Sequence, residues 1–285
     1  MIPYGLQRRS GIGYTLAMKV ISLNTWGGRA GKEGLLSFFK AHAADTDIFC
    51  LQEIWSAPYA DLEGHKAGGK EISHSEIMVY GLQEISALLR DFTPYFRPHH
   101  GDHYGLLMLV RNSIDVKAEG EIFVHKHKGY LPEGDIGNHA RNIQFISTEL
   151  QGSPLTVINF HGLWNGQGKG DSEDRLDQSR KIREFIGTLE ESIVLCGDFN
   201  LLPDTESIRI VEDAGLRNLI TETGVTSTRT SHYAKPEKFA DYAFVSKDLN
   251  VREFKILPDE VSDHAPLSIE LAQPVSRGFR ARLPA

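Results

Sequence analysis

Cysteine is almost missing: the 285 residues hold two, Cys50 and Cys196. Each sits in an apolar run with the pattern of a buried strand, so both are expected as small core residues in a reducing compartment, and a bridge between them has no support. Long apolar runs are lacking as well. None approaches the roughly 20 residues that span a bilayer, and Met1 to Ala17 contains two arginines but no apolar stretch of signal-peptide length. No transmembrane segment is expected, and the expected location is cytoplasmic. Positive charge is in deficit, with 31 Lys and Arg against 38 Asp and Glu and a net charge of −7. Holding long nucleic acid by phosphate attraction alone requires a basic field that this balance does not provide. Short or locally bound polyanions stay open, and acids gathered in one cleft, as a metal site requires, would contribute to the deficit. Repeats, low-complexity tracts and linkers are absent too. One domain is therefore expected over residues 18–272, preceded by a flexible Gly-containing extension, 1–17, and followed by a solvated basic tail, 273–285.

What is present is an ordinary globular composition, 40% hydrophobic and 24% charged. Val20 to Trp26 alternates as a strand and runs into the breaker pair Gly27-Gly28. Leu35, Phe38, Phe39 and His42 give a helix with one apolar face, and Ile48 to Glu53 a second strand that ends on a carboxylate. Trp55 to Ser75 reads as a long surface excursion. Leu82, Ile85, Leu89 and Phe92 form a second helical face that stops before Pro94, and Gly105 to Val110 a strand buried on both sides. Ile122 to Asn138 reads as a loop or phosphate-facing rim. Its His125 and His127, with His139 beyond, invite a zinc reading but lack a cysteine partner and helical spacing.

Arg141 opens a strand, Asn142 to Leu150, whose partner Leu155 to His161 follows the turn Gly152-Ser-Pro154. A loop from Gly162 to Gly170, too rich in glycine to be rigid alone, leads to a capping-box-like Asp171-Ser-Glu-Asp174 and a helix with Ile182, Phe185, Ile186 and Leu189 inward. Ile193 to Cys196 is a buried strand that stops at Gly197 and presents Asp198 and Asn200, which alternation points the same way. Alone, that pair reads first as an Asx turn closing the strand. A short helix over Ser207 to Asp213, a polar loop over Thr221 to Lys238, and strands at Phe239–Ser246, Glu253–Leu257 and after Val261 complete the chain.

Eight polar residues stand at the ends of apolar runs: Asn24, Glu53, His161, Asp198, Asn200, Asp241, Asp263 and His264. Each alone is explained by a cap, a turn or a satisfied core group, but eight in corresponding positions are not. Oxygen donors with few nitrogens and no cysteine suit Mg²⁺ or Mn²⁺ rather than zinc. With Ser22-Leu-Asn24-Thr-Trp26, Leu51-Gln-Glu53, Asn159-Phe-His161, Gly197-Asp-Phe-Asn200, Asp241-Tyr-Ala-Phe-Val-Ser246 and Ser262-Asp-His264-Ala-Pro-Leu267 in this order, the chain resembles the endonuclease/exonuclease/phosphatase superfamily from about Met18 to Leu271.

The resemblance implies an α+β fold, a four-layer αββα sandwich of two mixed β-sheets packed face to face with helices outside. It also implies a metal-dependent phosphoesterase. By it, Glu53 is the principal metal ligand with Asn24 beside it and Asp263 completing the metal end. Asp198 positions or deprotonates water, Asn200 holds the water and the phosphate, and His264, paired with Asp241, faces a phosphate oxygen. His161 stabilises developing charge or protonates the leaving oxygen. Arg141 is expected either as a phosphate clamp or in a surface ion pair. Trp164 and Asn165 are expected to line the substrate pocket, with packing as the other reading of Trp164. The first expectation for substrate is nucleic acid or an oligonucleotide, on the strength of Lys126, Lys128, Arg229 and Lys235 in loops near the cleft. Against it stand the acidic balance and the absence of interleaved basic and aromatic residues for stacking bases. The alternatives are a small phosphorylated metabolite or phospholipid head group, and a binding protein that keeps the fold without catalysis. No protein partner is inferred.

Overall fold

The computed structural model describes residues 16–58, 66–67 and 70–272. Apart from Leu16 and Ala17, which begin the first strand, the expected N-terminal extension and the basic tail lie outside the described residues. In chain order the elements are β1 (Leu16–Asn24), α1 (Lys32–His42), β2 (Ile48–Trp55), β3 (Lys66–Ala67), β4 (Lys70–Glu71), α2 (Gly81–Leu88), β5 (Phe92–His100), β6 (Tyr104–Arg111), β7 (Ala118–His125), β8 (Arg141–Leu150), β9 (Ser153–His161), α3 (Glu173–Ile186), β10 (Ser192–Asp198), α4 (Glu206–Glu212), β11 (Leu216–Asn218), α5 (Leu219–Glu222), β12 (Asp241–Ser246), β13 (Val251–Ile256) and β14 (Leu267–Ala272).

Two six-stranded sheets carry the fold, in the orders β13-β14-β1-β2-β6-β5 and β11-β12-β10-β9-β8-β7. The two orders match position for position. Each sheet has one parallel pair at its centre, β1 with β2 and β9 with β10, flanked by antiparallel neighbours. Both parallel pairs therefore bring two strand carboxyl ends to one edge, where sites of open sheets are built. Between the sheets, Val20, Cys50 and Met108 of the first pack in one cluster with Val157, Val194 and Cys196 of the second. At roughly 1.5–3 kcal/mol per fully buried aliphatic or aromatic side chain, this layer is the main source of stability. The Cys50 and Cys196 thiols are free and meet across it, and burial pushes the Cys50 thiol well above its ordinary range.

Helices cover the outer faces. Leu35, Phe38 and Phe39 of α1 and Ile85 of α2 pack on Ile21, Leu23, Phe49 and Leu51, while Ile182 and Ile186 of α3 and Ile208 and Val211 of α4 join the core from the second sheet's side. This is the expected αββα sandwich.

Two expectations fail at sheet edges. Phe92 is not the last turn of a helix: α2 ends at Leu88, and Phe92 opens the edge strand β5. Pro94 holds Thr93 extended, and an edge position tolerates the two missing amide hydrogens of Pro94 and Pro98. Similarly, the expected loop from Ile122 starts inside β7. His125, which ends β7, is 4% exposed and lies opposite Arg141, with Nε2 3.3 Å from Asn138 Oδ1. The excursion after Trp55 contains the small β3–β4 hairpin, and Trp55, Ile72 and Ile77 form a separate apolar cluster beside the strand ends.

Candidate active site

Alternation and one irregularity decide which side chains reach the edge between the sheets. Val20, Ser22 and Asn24 share a face, so Asn24 looks inward where Ile21 and Leu23 look out to the helices. In β2 the same rule would send Glu53 outward with Phe49 and Leu51. A bulge prevents this: the register to β6 shifts between Leu51 and Ile54, and Glu53 adopts φ +59°. The extra residue turns the carboxylate into the cleft and returns Ile54 to the outer face, a use of bulges common next to functional sites. On the second sheet, Asn159 and His161 alternate onto the inner face of β9, and Cys196 and Asp198 onto that of β10, with Asp241 directly opposite Asp198. Beneath the site Gln52 Nε2 donates to Asn159 Oδ1 (2.7 Å) and Asn159 Nδ2 to Leu51 O (3.0 Å), tying the sheets together. Gly197 is required by close approach, since a Cβ there would fall 2.0 Å from Phe160 O.

The structure brings Asn24, Glu53, Arg141, His161, Asp198, Asn200, Asp241, Asp263 and His264 to this edge. Asn24 Nδ2 donates to Glu53 Oε1 (3.0 Å) and Asp198 Oδ2 (2.9 Å), while its oxygen accepts from Trp26 N (2.9 Å). Asn24 thus bridges the two carboxylates and turns its own oxygen to Trp26 N. Asn200, at φ +55°, donates its backbone N–H to Asp198 Oδ1 (2.8 Å) and its amide to Asp198 Oδ2 and Gly162 O (3.3 Å each). This is an Asx-type arrangement and an acid–amide pair at once.

Carboxylate oxygens of Glu53 and Asp198 and a ring nitrogen of His161 lie within 4.8 Å of one another, as do the corresponding atoms of Asp198, Asp241 and His264. Burial raises the Glu53 carboxyl above its ordinary value, against the lowering effects of Arg29 and Asn24, and the nearby Asp263 and Asp198 charges raise it further. Asp263 Oδ1 is buried without a hydrogen-bond partner. Crowded carboxylates of this kind, with an orphaned oxygen, fit a hard divalent cation.

The two histidines are held differently. His264 Nδ1 lies 2.8 and 2.9 Å from the two Asp241 oxygens, which fixes the proton on Nδ1 and leaves Nε2 facing Asp198 Oδ2 (3.6 Å) and Asp263 Oδ1 (3.8 Å). Burial, aided by Arg229, lowers His264 to about 4, and burial lifts Asp241 to about 6. At neutral pH the pair is neutral imidazole and carboxylate. His161 Nδ1 instead faces Arg141 Nη1 at 3.1 Å. Its Nε2 lies 3.7 Å from Asp198 Oδ2 and 3.9 Å from Glu53 Oε1. Burial pushes His161 well below its ordinary range, and Arg141 adds to this.

The strand ends open into a cleft of about 1060 Å³ lined on one side by Trp26, Trp55, Ile77 and Tyr104, and elsewhere by Arg29, Arg141, Trp164, Lys169, Arg229, Tyr233 and Lys235. Arg141 is no surface ion pair: it is 2% exposed and donates to Gly137 O (3.2 Å). Trp164 lines the cleft. Asn165 does not. Its Oδ1 accepts from Gln167 N (3.0 Å), which folds it toward a separate depression with Glu133, Asp135 and Asp174. Arg229 and Lys235 line the cleft, whereas Lys126 and the exposed Lys128, which pairs with Glu121, do not. Lys169 was missed by sequence reading. Its Nζ donates to Asn200 Oδ1 (2.8 Å), and burial lowers the ammonium to about 8. Its loop is held by the buried Arg175 of α3, whose guanidinium donates to Leu163 O, Gly168 O and Gly170 O. Nothing local in a glycine-rich loop announces such a clamp from a helix downstream.

Fold and site together define a class of protein, a two-sheet sandwich with an acid–histidine cleft at the ends of its parallel pairs. The chain belongs to the endonuclease/exonuclease/phosphatase family, whose model matches residues 21–264. Among solved structures it is similar to a mannosyl-6-phosphatase of Bacteroides thetaiotaomicron, at 17% identity over 90% of this chain and 99% of that one with a TM-score of 0.66. It is also similar to a family protein of Leptotrichia buccalis, at 20% identity over 90% and 99% with a TM-score of 0.65. A third similar structure is TDP2 of C. elegans, at 18% identity over 90% and 75% with a TM-score of 0.58. No curated protein matches. Among the described residues no helix is long and apolar enough to cross a membrane.

Proposed function

We propose that the protein is a metal-assisted hydrolase that cleaves a phosphoester bond in a compact phosphorylated substrate. The observation that carries this reading is the meeting of Glu53, Asp198 and the Asp241–His264 pair at one edge, in a cleft that also holds Arg141 and Lys169. Glu53 would hold Mg²⁺ or Mn²⁺, with oxygens of Asp263 and Asp198 beside it; such an ion neutralises phosphate oxygens and stabilises the departing one. Asp198, steadied by Asn24 and Asn200, orients a water. The free Nε2 of His264 accepts the proton of that water, and Asp241 stabilises the resulting imidazolium. His161 presents Nε2–H to the phosphoryl oxygen on which charge grows, in a water-poor site where such a hydrogen bond acts strongly. Of the two roles expected for His161, the Arg141 contact supports charge stabilisation over leaving-group protonation.

Nucleic acid, the first expectation from sequence, calls for a cationic track running beyond the reacting bond. The cations counted toward it divide. Arg229 and Lys235 lie inside the cleft, while Lys126 and Lys128 lie outside it, and this favours a substrate that fits within. The test is hydrolysis with Mg²⁺ or Mn²⁺ of p-nitrophenyl phosphate, bis-p-nitrophenyl phosphate, sugar phosphates, single- and double-stranded DNA and RNA, by the wild type, Glu53→Ala and His264→Ala. Small esters are expected to be cleaved, with losses of roughly 100-fold or more in both variants. Polymer cleavage alone returns the reading to a nuclease, and activity undiminished in both variants removes it.

A further inference from the structure

Two ammonium groups in the cleft, those of Lys169 and Lys235, make no ion-pair contact among the described residues, although the Asp198 and Asp241 charges act on Lys169 at longer range. Lys169 is 3% exposed, and its Nζ has Asn200 Oδ1 as hydrogen-bond partner. Among the described residues, no carboxylate oxygen is in ion-pair contact with Lys169 or with Lys235. Burying a cation such as Lys169 without an anion in contact is unfavourable, and a ligand that brings the anion relieves that cost. Arg229, whose charge also acts on Lys169, is already engaged: its guanidinium lies 4.0 Å over Tyr233, with Nη1 3.3 Å from Asp263 Oδ2.

A single indole gathers the two lysines. Lys235 Nζ lies 4.8 Å and Lys169 Nζ 5.5 Å from the centroid of the Trp164 ring, within cation–π range. Trp164 thus keeps two like charges in one place. The sheet order then separates this locus from the other cation of the floor. In β12-β10-β9-β8, Asp198 and His161 end the two middle strands. Arg141 begins β8 on one side, while Lys169 feels Asp198 of β10 first and then Arg229 and Asp241 of β12 on the other. A reacting phosphate between Asp198 and His161 meets Arg141 and His161, and the lysine pair stands beside it.

Resting on the phosphoesterase reading, we propose that Lys169 and Lys235, gathered on Trp164, form a subsite for a second phosphate of the substrate. The substrate class is then a compact molecule with two phosphates, one hydrolysed and one held. A simple monoester or diester satisfies the reacting position and leaves the lysine pair without an anion.

The test measures binding of inorganic phosphate and of pyrophosphate to the full chain by calorimetry without divalent metal, for the wild type, Lys235→Ala, Trp164→Phe, Trp164→Ala and Lys128→Ala. Lys235 is exposed and its loss does not threaten folding. Pyrophosphate is expected to bind at least tenfold more tightly than phosphate to the wild type and to Lys128→Ala. That ratio falls to threefold or less in Lys235→Ala and Trp164→Ala and is largely kept in Trp164→Phe. Equal affinities in the wild type, or a ratio untouched by Lys235→Ala, overturn the proposal. Hydrolysis of p-nitrophenyl phosphate with Mg²⁺ or Mn²⁺, run in parallel, separates the two readings. Turnover without the preference sinks the subsite alone, and the preference without turnover of any ester sinks the hydrolase while the subsite stands.

Discussion

Arg141 Nη1 lies 3.1 Å from His161 Nδ1, with both side chains buried. A guanidinium has no acceptor, so Nδ1 is the accepting nitrogen and the imidazole proton resides on Nε2, the atom that faces Asp198 and Glu53. A second proton on His161 would have to sit against the arginine. Replacing Arg141 with Met removes both the tautomer lock and the repulsion, so His161 rises, although burial, the larger cause, still holds it down. The expected outcome is a fall in kcat of about 10- to 100-fold and, in the profile of kcat against pH, an acid limb displaced to higher pH than that of the wild type. An Arg141→Met profile that parallels the wild type at every pH would refute the lock.

Lys169 provides an alkaline counterpart. Burial places its ammonium at about 8 in the free protein. Because the charged form loses out on folding, this lysine is protonated in the unfolded chain up to higher pH than in the folded one. For a substrate with two phosphates kcat/KM, which reports the free enzyme, should decline as pH rises through about 8. Lys169→Arg keeps its charge across that range and should abolish the decline, whatever its effect on the plateau. An identical alkaline limb in both proteins would assign the pH dependence elsewhere.

Metal binding should be visible without turnover. Glu53, Asp198 and Asp263 repel one another in a buried setting, and a ligand that binds the folded state alone stabilises it by mass action, about 2.7 kcal/mol at a hundredfold excess over Kd. Adding millimolar Mg²⁺ or Mn²⁺ should raise the Tm of the wild type by several degrees, and EDTA should reverse this. Glu53→Gln keeps the bulk of the side chain but removes the charge, and its Tm should hardly respond to the ion. A thermal shift of equal size in that variant would place the ion elsewhere.

Much of the site could be read from the chain because alternation carries polar residues to strand ends in a regular way: Asn24, His161 and Asp198 follow from counting along apolar runs. Glu53 did not follow from counting. Strict alternation sends it to the helix side, and only the bulge at φ +59° turns it inward, so its role came from resemblance. Edges were the weak point for the fold. Pro94 and Pro98 look like breakers, yet an edge strand has amide positions that bond nothing, and β5 uses them. Asn165 was misplaced for a similar reason, since loop residues adjacent in sequence to a cleft residue can face away. Lys169 escaped notice because its function depends on a clamp set by tertiary packing.

That clamp gives the last prediction. Arg175 is buried and donates to Leu163 O from Nε (3.4 Å) and Nη2 (3.3 Å), to Gly168 O (2.8 Å) and to Gly170 O. A loop with Gly166 and Gly168 both at positive φ has many alternative conformations, and the guanidinium removes them by occupying three carbonyls at once. Arg175→Met fills the volume but leaves those carbonyls buried without donors, which should destabilise the fold by about 3 kcal/mol in urea unfolding. Arg175→Lys, with one point donor in place of a fork, should recover only part of this. Since Trp164 and Lys169 ride on the same loop, kcat/KM of Arg175→Met should fall even under conditions where the variant is fully folded, and amide exchange across residues 163–170 should accelerate more than in β9 or β10. A variant that unfolds at the wild-type urea concentration, with unchanged exchange in that loop, would show that the loop is rigid without its arginine.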